Sequence, residues 1–410
     1  MCNTNRMIKF RPITPHPTCY EIENFRPIFI DKAFLAEIGM EYPISPLVEQ
    51  ELINGSLWYR KLFDAKALNP LEAYCQSETD VSKELDIHNY TGICPTNVLE
   101  VSPSEGSCSV GCQYCLVTDG KHIQQIKTFG NYTERLANSL VRNRDKKIFY
   151  YFSPKTEAFS EPHLYSGLAH DILRTFGAHF EKYPDSQIRI FVATKAGLRH
   201  FELEHKGESI LELVSKLSSK IQVNGSIGIM PAYLRDILEP NAAEIDDRLH
   251  LLSRLREVGI WAESILCQPL FLPYLTAESI GDFMKKLAAA GIRNIKPEFF
   301  TAEIRNIVLV AQYINHFDPD KLGEFLYPYL KEDNQGHIKQ NARLAPDREI
   351  CADTLRMIHQ IANDNDITIS ICNWVKRELG GVADWVKRID MESSCNGYRC
   401  LGYQTRLFPE

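Results

Sequence analysis

The sequence has no run of 18 apolar residues, so it offers no candidate membrane-spanning helix. Its first twenty residues, MCNTNRMIKFRPITPHPTCY, contain no apolar stretch of the kind that directs secretion. Neither the phosphate-loop pattern G-x-x-x-x-G-K-[ST] nor the zinc-protease pattern H-E-x-x-H occurs, and no segment is of low complexity. Positive charge is in short supply: 46 Lys and Arg stand against 53 Asp and Glu, a net charge of −7. A protein that grips a polyanion normally needs a basic surface to displace its counterions, so the balance disfavours nucleic acid as a partner, although a local basic groove is compatible with it. Cysteine is sparse too. Twelve in 410 residues is about 3%, well below the density of a disulfide scaffold. With no export signal the chain reads as cytoplasmic, and clustered cysteines there read first as metal or redox ligands.

What is present is ordinary for a soluble globular protein: 44% hydrophobic and 24% charged residues in a chain long enough for two or three domains. Residues 1–92 are rich in early prolines, which break long periodic elements, and read as an N-terminal extension of low regularity with one or two short helices over 45–63. From about residue 96 short β-branched runs alternate with amphipathic stretches. Strands are expected at 97–101, 147–152, 188–193, 221–227, 260–266 and 294–299, and helices at 132–143, 163–183, 209–219, 244–258 and 277–290. Gly259 and Gly291 sit where left-handed caps would end two of these helices. Such alternation indicates βαβ units and a parallel sheet. Six units are too few for a closed eight-stranded barrel, leaving a partial barrel or a doubly wound sheet, which periodicity does not separate. The region after 300 is mostly helical (302–317, 319–330, 348–365), with a possible strand at 367–372. It reads as a C-terminal cap, giving divisions at 1–92, 93–300 and 301–410.

One tight cysteine cluster stands out. SPSEGSCSVGCQYCLVTDG places Cys108, Cys112 and Cys115 in a C-x3-C-x2-C spacing, in the loop after the first expected strand. The carboxyl ends of strands are where α/β barrels keep their chemistry. Three close thiolates suit a [4Fe–4S] cluster and leave one iron open to a small molecule. Zinc is the rival reading, with His122 as a possible fourth ligand, and unligated core cysteines are the third.

The triplet, placed after the first strand of a six-unit βα array, resembles the radical S-adenosylmethionine (SAM) superfamily over about residues 95–300. FSPKTEAFSEP (152–162), FVATKAGLRHF (191–201) and the EP-N-A…RL…L-R-E-x-G-I pattern within 224–260 are similar to its spore photoproduct lyase-like branch. The resemblance implies a partial (β/α)6 TIM-like barrel with an N-terminal extension and a helical C-terminal cap. It implies a cluster on Cys108, Cys112 and Cys115, with SAM bound to the open iron and cleaved to a 5′-deoxyadenosyl radical that abstracts hydrogen from substrate. An external electron donor such as flavodoxin or ferredoxin would serve it. Tyr114 fits the aromatic often found before the third cysteine, and Thr156 with Glu157 beside it, Lys195 and Ser226 fall where the branch holds SAM.

The chain departs from the lyases at two positions. Pro154 stands where they carry the hydrogen-donating cysteine, and Leu116 where they carry a tyrosine. Cys267 is a candidate replacement donor, on one strand face with Glu263 by period two, and Glu298 could orient a substrate. Cys395 and Cys400, with Cys351 and Cys372, would supply four ligands for an auxiliary cluster, or the tail could bring Cys395, Tyr398 or Cys400 to the barrel mouth. The expected substrate is a small molecule, natural-product intermediate or peptide. The alternatives are a lesion in nucleic acid and a non-enzymatic metal-binding regulatory module.

Overall fold

The computed structural model describes residues 19–40, 43–66, 98–106, 108–115, 131–331 and 344–371, together with the strands Arg6–Lys9, Ala73–Thr79, Ile87–Asn89 and Gln125–Phe129. Seven parallel strands form the central sheet: β1 (Val98–Val101), β2 (Ile148–Phe152), β3 (Ile188–Thr194), β4 (Ile221–Ser226), β5 (Ser264–Leu270), β6 (Asn294–Phe299) and β7 (Thr368–Ile369). Ile87–Asn89 adds an antiparallel edge to β1. Spatial order follows chain order from β1 to β7 without a reversal. A doubly wound sheet would switch direction part-way, so this is the partial-barrel solution. The seventh strand, only two residues long, extends the expected six.

The strands have two different faces. Val101, Tyr150, Phe152, Ile190, Val192, Val223, Ile265 and Ile295 share a core with the flanking helices. Residues one step along, which a strand turns to the opposite face, include Glu100, Tyr151, Gln222, Asn224, Ser226, Lys296 and Glu298. The inner face of the barrel is therefore markedly polar, while its outer face is almost wholly apolar.

Several local expectations change. The expected strand at 260–266 pairs only over Ser264–Leu270; Trp261 makes an isolated bridge to Gln222. The helix expected at 163–183 breaks into Glu161–Tyr165 and Leu168–Lys182 at Gly167 (φ 78°), where an added Cβ would meet the His205 ring at 2.3 Å. Gly259 and Gly291 do take left-handed conformations after their helices, at φ 81° and 74°.

The N-terminal region is more regular than its prolines suggest. Pro46–Asp64 (α1) is one 19-residue helix. Ser45 caps it by accepting from the Val48 N–H, and Pro46 occupies the first turn, where no N–H is needed. Its buried stripe (Val48, Leu52, Gly55, Ser56, Tyr59) packs on Ile304–Phe317 (α2). Gln312 of α2 closes the joint, accepting from the Ile28 N–H at 2.7 Å and donating to the Ile28 carbonyl at 3.2 Å. Extension and C-terminal helices thus share a second core.

Gly55 is the closest approach of the two helices: a Cβ there would stand 3.1 Å from Val308 Cγ2 and 3.3 Å from Arg305 Cα. Gly55→Val should therefore overpack the joint and cost about 1–3 kcal/mol despite the better helix propensity of valine. Urea denaturation of the two proteins checks it, and an unchanged midpoint would show that the helices separate freely.

Candidate functional site

The loops after β1, β2 and β3 and the end of β4 meet on one rim. After β1 the chain turns through Cys108, Cys112 and Cys115. Gly111 (φ 67°) makes the turn, its N–H donating to the Cys108 carbonyl at 3.2 Å. The loop is fastened from outside by residues 238–243. Gln113 N–H donates to the Leu238 carbonyl at 2.8 Å, Asn241 N–H to the Val110 carbonyl at 3.2 Å, and Asn241 Nδ2 to the Ser109 carbonyl at 2.7 Å. Val110, Cys112 and Ala242 form a small buried cluster, with Cys108, Tyr114 and Cys115 packed against it.

All three cysteines are free thiols. Burial pushes Cys108 up to about 12 and Cys112 well above the usual thiol range, because the charged form loses its hydration there. Among the described residues no three His, Cys, Asp or Glu side chains are grouped as ligands of a single metal ion. In a four-iron cluster each cysteine takes a different iron, so three thiols from one loop can serve as its protein donors.

After β2, Thr156 is half-buried and its hydroxyl lies 3.2 Å from that of Ser153. Glu157 is buried and joins three elements. Its backbone N–H donates to Cys108 Sγ at 3.4 Å, while its carboxylate accepts from Thr194 Oγ1 (2.6 Å), Lys195 N–H (2.7 Å) and Phe159 N–H (3.1 Å). Burial raises its carboxyl above the ordinary value, opposed by those donors. Most of its acceptor capacity is spent on the protein, so it fixes the rim more than it offers a free ligand.

Lys195, directly after β3, donates to Ser226 Oγ at 3.1 Å and to Glu239 Oε1 at 2.7 Å. Glu239 is not among the expected site residues, yet its carboxylate, like that of Glu157, accepts three hydrogen bonds, here all from side chains. The Tyr114 hydroxyl also donates to its Oε1, and Arg248 Nη2 donates to its Oε2 at 2.6 Å. Arg248 is 1% exposed, and its other donors reach the Ala243 carbonyl (2.6 Å) and the Ser226 carbonyl (2.8 Å). Burial would raise the Glu239 carboxyl, but Lys195 and Arg248 outweigh it and hold it at about 2. One sequence signal pointed here: Arg248 lies on the apolar stripe of helix Ile245–Glu257 with Leu252 and Leu255, where an unpaired charge is not tolerated.

Other expected residues fall elsewhere. Cys267 is fully buried in the core between sheet and helices, sharing its face with Ile265, and is not among the residues packed around the cysteine loop. The period-two face it shares with Ile265 is the one that packs in the main core. Glu298 is half-buried on the opposite, inner face of β6. Cys351 lies in the main core. Cys372, Cys395, Tyr398, Cys400, His122 and Leu116 lie outside the described residues.

No protein-family model matches the chain. A curated protein named radical SAM Nalpha-GlyT isomerase, from Pseudomonas phage M6, is 24% identical over 213 residues, 51% of this chain. The chain spans 41% of the length of that relative. Among solved structures, spore photoproduct lyase complexed with a dinucleoside spore photoproduct aligns over 84% of this chain and 99% of its own, with 13% identity and a TM-score of 0.50. A cysteine-to-serine mutant of spore photoproduct lyase aligns over 83% and 96%, with 12% identity and a TM-score of 0.51. The lyase structures share the fold of this chain, and the curated relative carries the superfamily name that the sequence resemblance implies. The three thiols of the β1 loop are the donor set that a [4Fe–4S] cluster takes.

Behind this rim lies His163, which ties the small strand Ser104–Gly106 to the Glu157 loop. Its Nε2 is 2.8 Å from Ser104 Oγ and its Nδ1 is 3.1 Å from the Glu157 carbonyl. Burial pushes His163 and His200 down to about 4 from their ordinary 6.5. As pH falls below 6.5 the unfolded chain takes up protons that the folded one refuses, so this contribution is complete above about 6.5 and gone by about 4. Each histidine accounts for about 3 kcal/mol over that window. The urea midpoint should therefore fall steadily below pH 6.5. His163→Gln should lose about 3 kcal/mol less than the wild type between pH 7.5 and 4; equal losses would exclude His163 as a source.

Proposed function

We propose that the chain is a radical SAM enzyme that abstracts hydrogen from a small-molecule, natural-product or peptide substrate. The observation that carries this reading is a continuous line of contacts on one rim: Cys108 Sγ to the Glu157 N–H, the Glu157 carboxylate to the Lys195 N–H, and Lys195 Nζ to Ser226 Oγ. It joins the thiols to an ammonium and a hydroxyl on neighbouring strand ends.

When bound and reduced by one electron, a [4Fe–4S] cluster with SAM supplies a 5′-deoxyadenosyl radical able to take hydrogen from an unactivated carbon. The protein supplies binding and orientation. Cys108, Cys112 and Cys115 would hold three irons. Lys195 would pair with the carboxylate of SAM, and the Thr156 and Ser226 hydroxyls would bond its other polar groups. Tyr114 packs edge-on to Phe271 and Phe300 and closes the back of the cysteine loop against water. The polar inner face of the barrel, with Tyr151, Asn224 and Glu298, would hold the substrate. A flavodoxin- or ferredoxin-like protein would bring the electron.

A second reading, a lesion in nucleic acid, is favoured by the names of the similar proteins, one of which is a lyase bound to a dinucleoside photoproduct. The net charge of −7 and Pro154 in place of the lyase cysteine favour the first. Salt-sensitive binding of DNA would reverse that preference.

Anaerobically reconstituted protein, given reductant and SAM, should release 5′-deoxyadenosine detectable by mass spectrometry. The Cys108→Ala/Cys112→Ala/Cys115→Ala protein should release none. A fully loaded cluster that leaves SAM intact with every substrate class offered would point instead to a metal-binding module without radical chemistry.

A further inference from the structure

The EP-N-A pattern has so far served only as a mark of resemblance, and the structure gives its glutamate a task. Glu239 is 1% exposed and accepts from three side chains that belong to three separate elements: Tyr114 of the cysteine loop, Lys195 at the end of β3, and Arg248 of helix Ile245–Glu257. Its own position is set from both sides. Leu238 and Asn241 bond the cysteine loop, and the Ala243 N–H donates to the Lys195 carbonyl at 3.0 Å. Lys195 is held in turn. Two of its three ammonium protons go to Ser226 Oγ and Glu239 Oε1, which leaves one for a further acceptor. Its side chain is 14% exposed, the only member of the ionic trio with measurable access to the rim, since Glu239 and Arg248 are each at 1%. The trio carries two positive charges against one negative.

We propose that Glu239 is a positioning residue for SAM: it fixes the Lys195 ammonium beside the cysteine loop so that its remaining proton meets the carboxylate of the bound nucleoside. The proposal rests on the SAM-binding reading given above. It differs from a purely structural role in one respect. A brace that only holds the fold would weaken every ligand of the rim alike, whereas a group acting through Lys195 matters only for ligands that carry a carboxylate.

The test compares SAM with 5′-methylthioadenosine, which keeps the nucleoside and lacks the amino acid. Affinities are measured by anaerobic calorimetry on reconstituted protein, with iron content and thermal melting recorded for each variant. Glu239→Gln should lower SAM affinity about ten-fold or more and leave methylthioadenosine within about two-fold. Lys195→Met should do the same, and the double variant should bind SAM no more weakly than the weaker single one. Parallel loss of both ligands, or unchanged SAM affinity in Glu239→Gln, would overturn the proposal. If Glu239→Gln does not fold, Tyr114→Phe removes one of the bonds to Glu239 and should give a smaller loss, again confined to SAM; a loss shared by both ligands, or none, would count against it equally. Wild-type protein with a full cluster that binds neither nucleoside would overturn the cofactor reading and this proposal together, a result distinct from selective loss in a variant.

Discussion

An ionised carboxylate out of reach of water costs several kcal/mol unless charge and hydrogen bonds replace its hydration. Glu239 meets that condition with an arginine, a lysine and a phenol, all within bonding distance of its two oxygens. Each partner comes from a different part of the chain, so the requirement of one carboxylate ties three elements together. The cysteine loop cannot drift from β3 without leaving Tyr114 or Glu239 unsatisfied. Helix Ile245–Glu257 cannot turn without stranding the Arg248 guanidinium, whose Nε and Nη1 also donate to the carbonyls of Ala243 and Ser226. The rim is held by polar satisfaction, whereas the outer layer is held by apolar area.

Buried ion pairs are a poor way to gain stability. Well-packed hydrophobic side chains in the same volume often do as well or better, while removal of one partner costs about 3–5 kcal/mol. The arrangement therefore makes sense as a means of placing charge where it will be used. Lys195 illustrates the difference. A lysine on an open rim would sample many rotamers, and this one has two of its three donors committed before any ligand arrives. Less freedom remains to be lost on binding, and so more of the ammonium–carboxylate attraction is available as affinity.

How far the sequence could be read depended on how local each signal was. The β-branched runs at 148–152, 188–194 and 221–226 are local, and all three became strands close to the expected limits. The cysteine triplet is local as well, and its spacing alone suggested a multi-iron site. The break at Gly167 depends on the distant ring of His205, and the true start of β5 depends on pairing with β6, so neither shows in a short window. The long helix α1 was obscured by the prolines around it, although Ser45 and Pro46 form a good helix start. Cys267 shows that periodicity gives a shared face without saying which way the face turns. It does share a face with Ile265, but that face is the one that meets the helices. Of the three partners of Glu239, Arg248 is nine residues away but Lys195 and Tyr114 lie 44 and 125 residues away, so the residue is legible in sequence only as part of a pattern and not as a node.

The two faces of the sheet suggest how such a barrel keeps fold and chemistry apart. The outward residues of β1 to β6 are mostly aliphatic or aromatic, and they pack against helices that would accept many apolar substitutions of similar volume. The inward residues of β4 (Gln222, Asn224 and Ser226) gain nothing from that core and must find polar partners within a confined space. Gln222 does so by donating to Asn224 on its own strand at 2.8 Å. Toward the carboxyl end the series finishes at Ser226, which answers Lys195. A single strand thus runs from two interior amides bonded to each other to a hydroxyl at the rim that accepts from the ammonium just after the neighbouring β3. Changes on the outer face should be read as stability effects, and changes on the inner face as effects on what the barrel can hold.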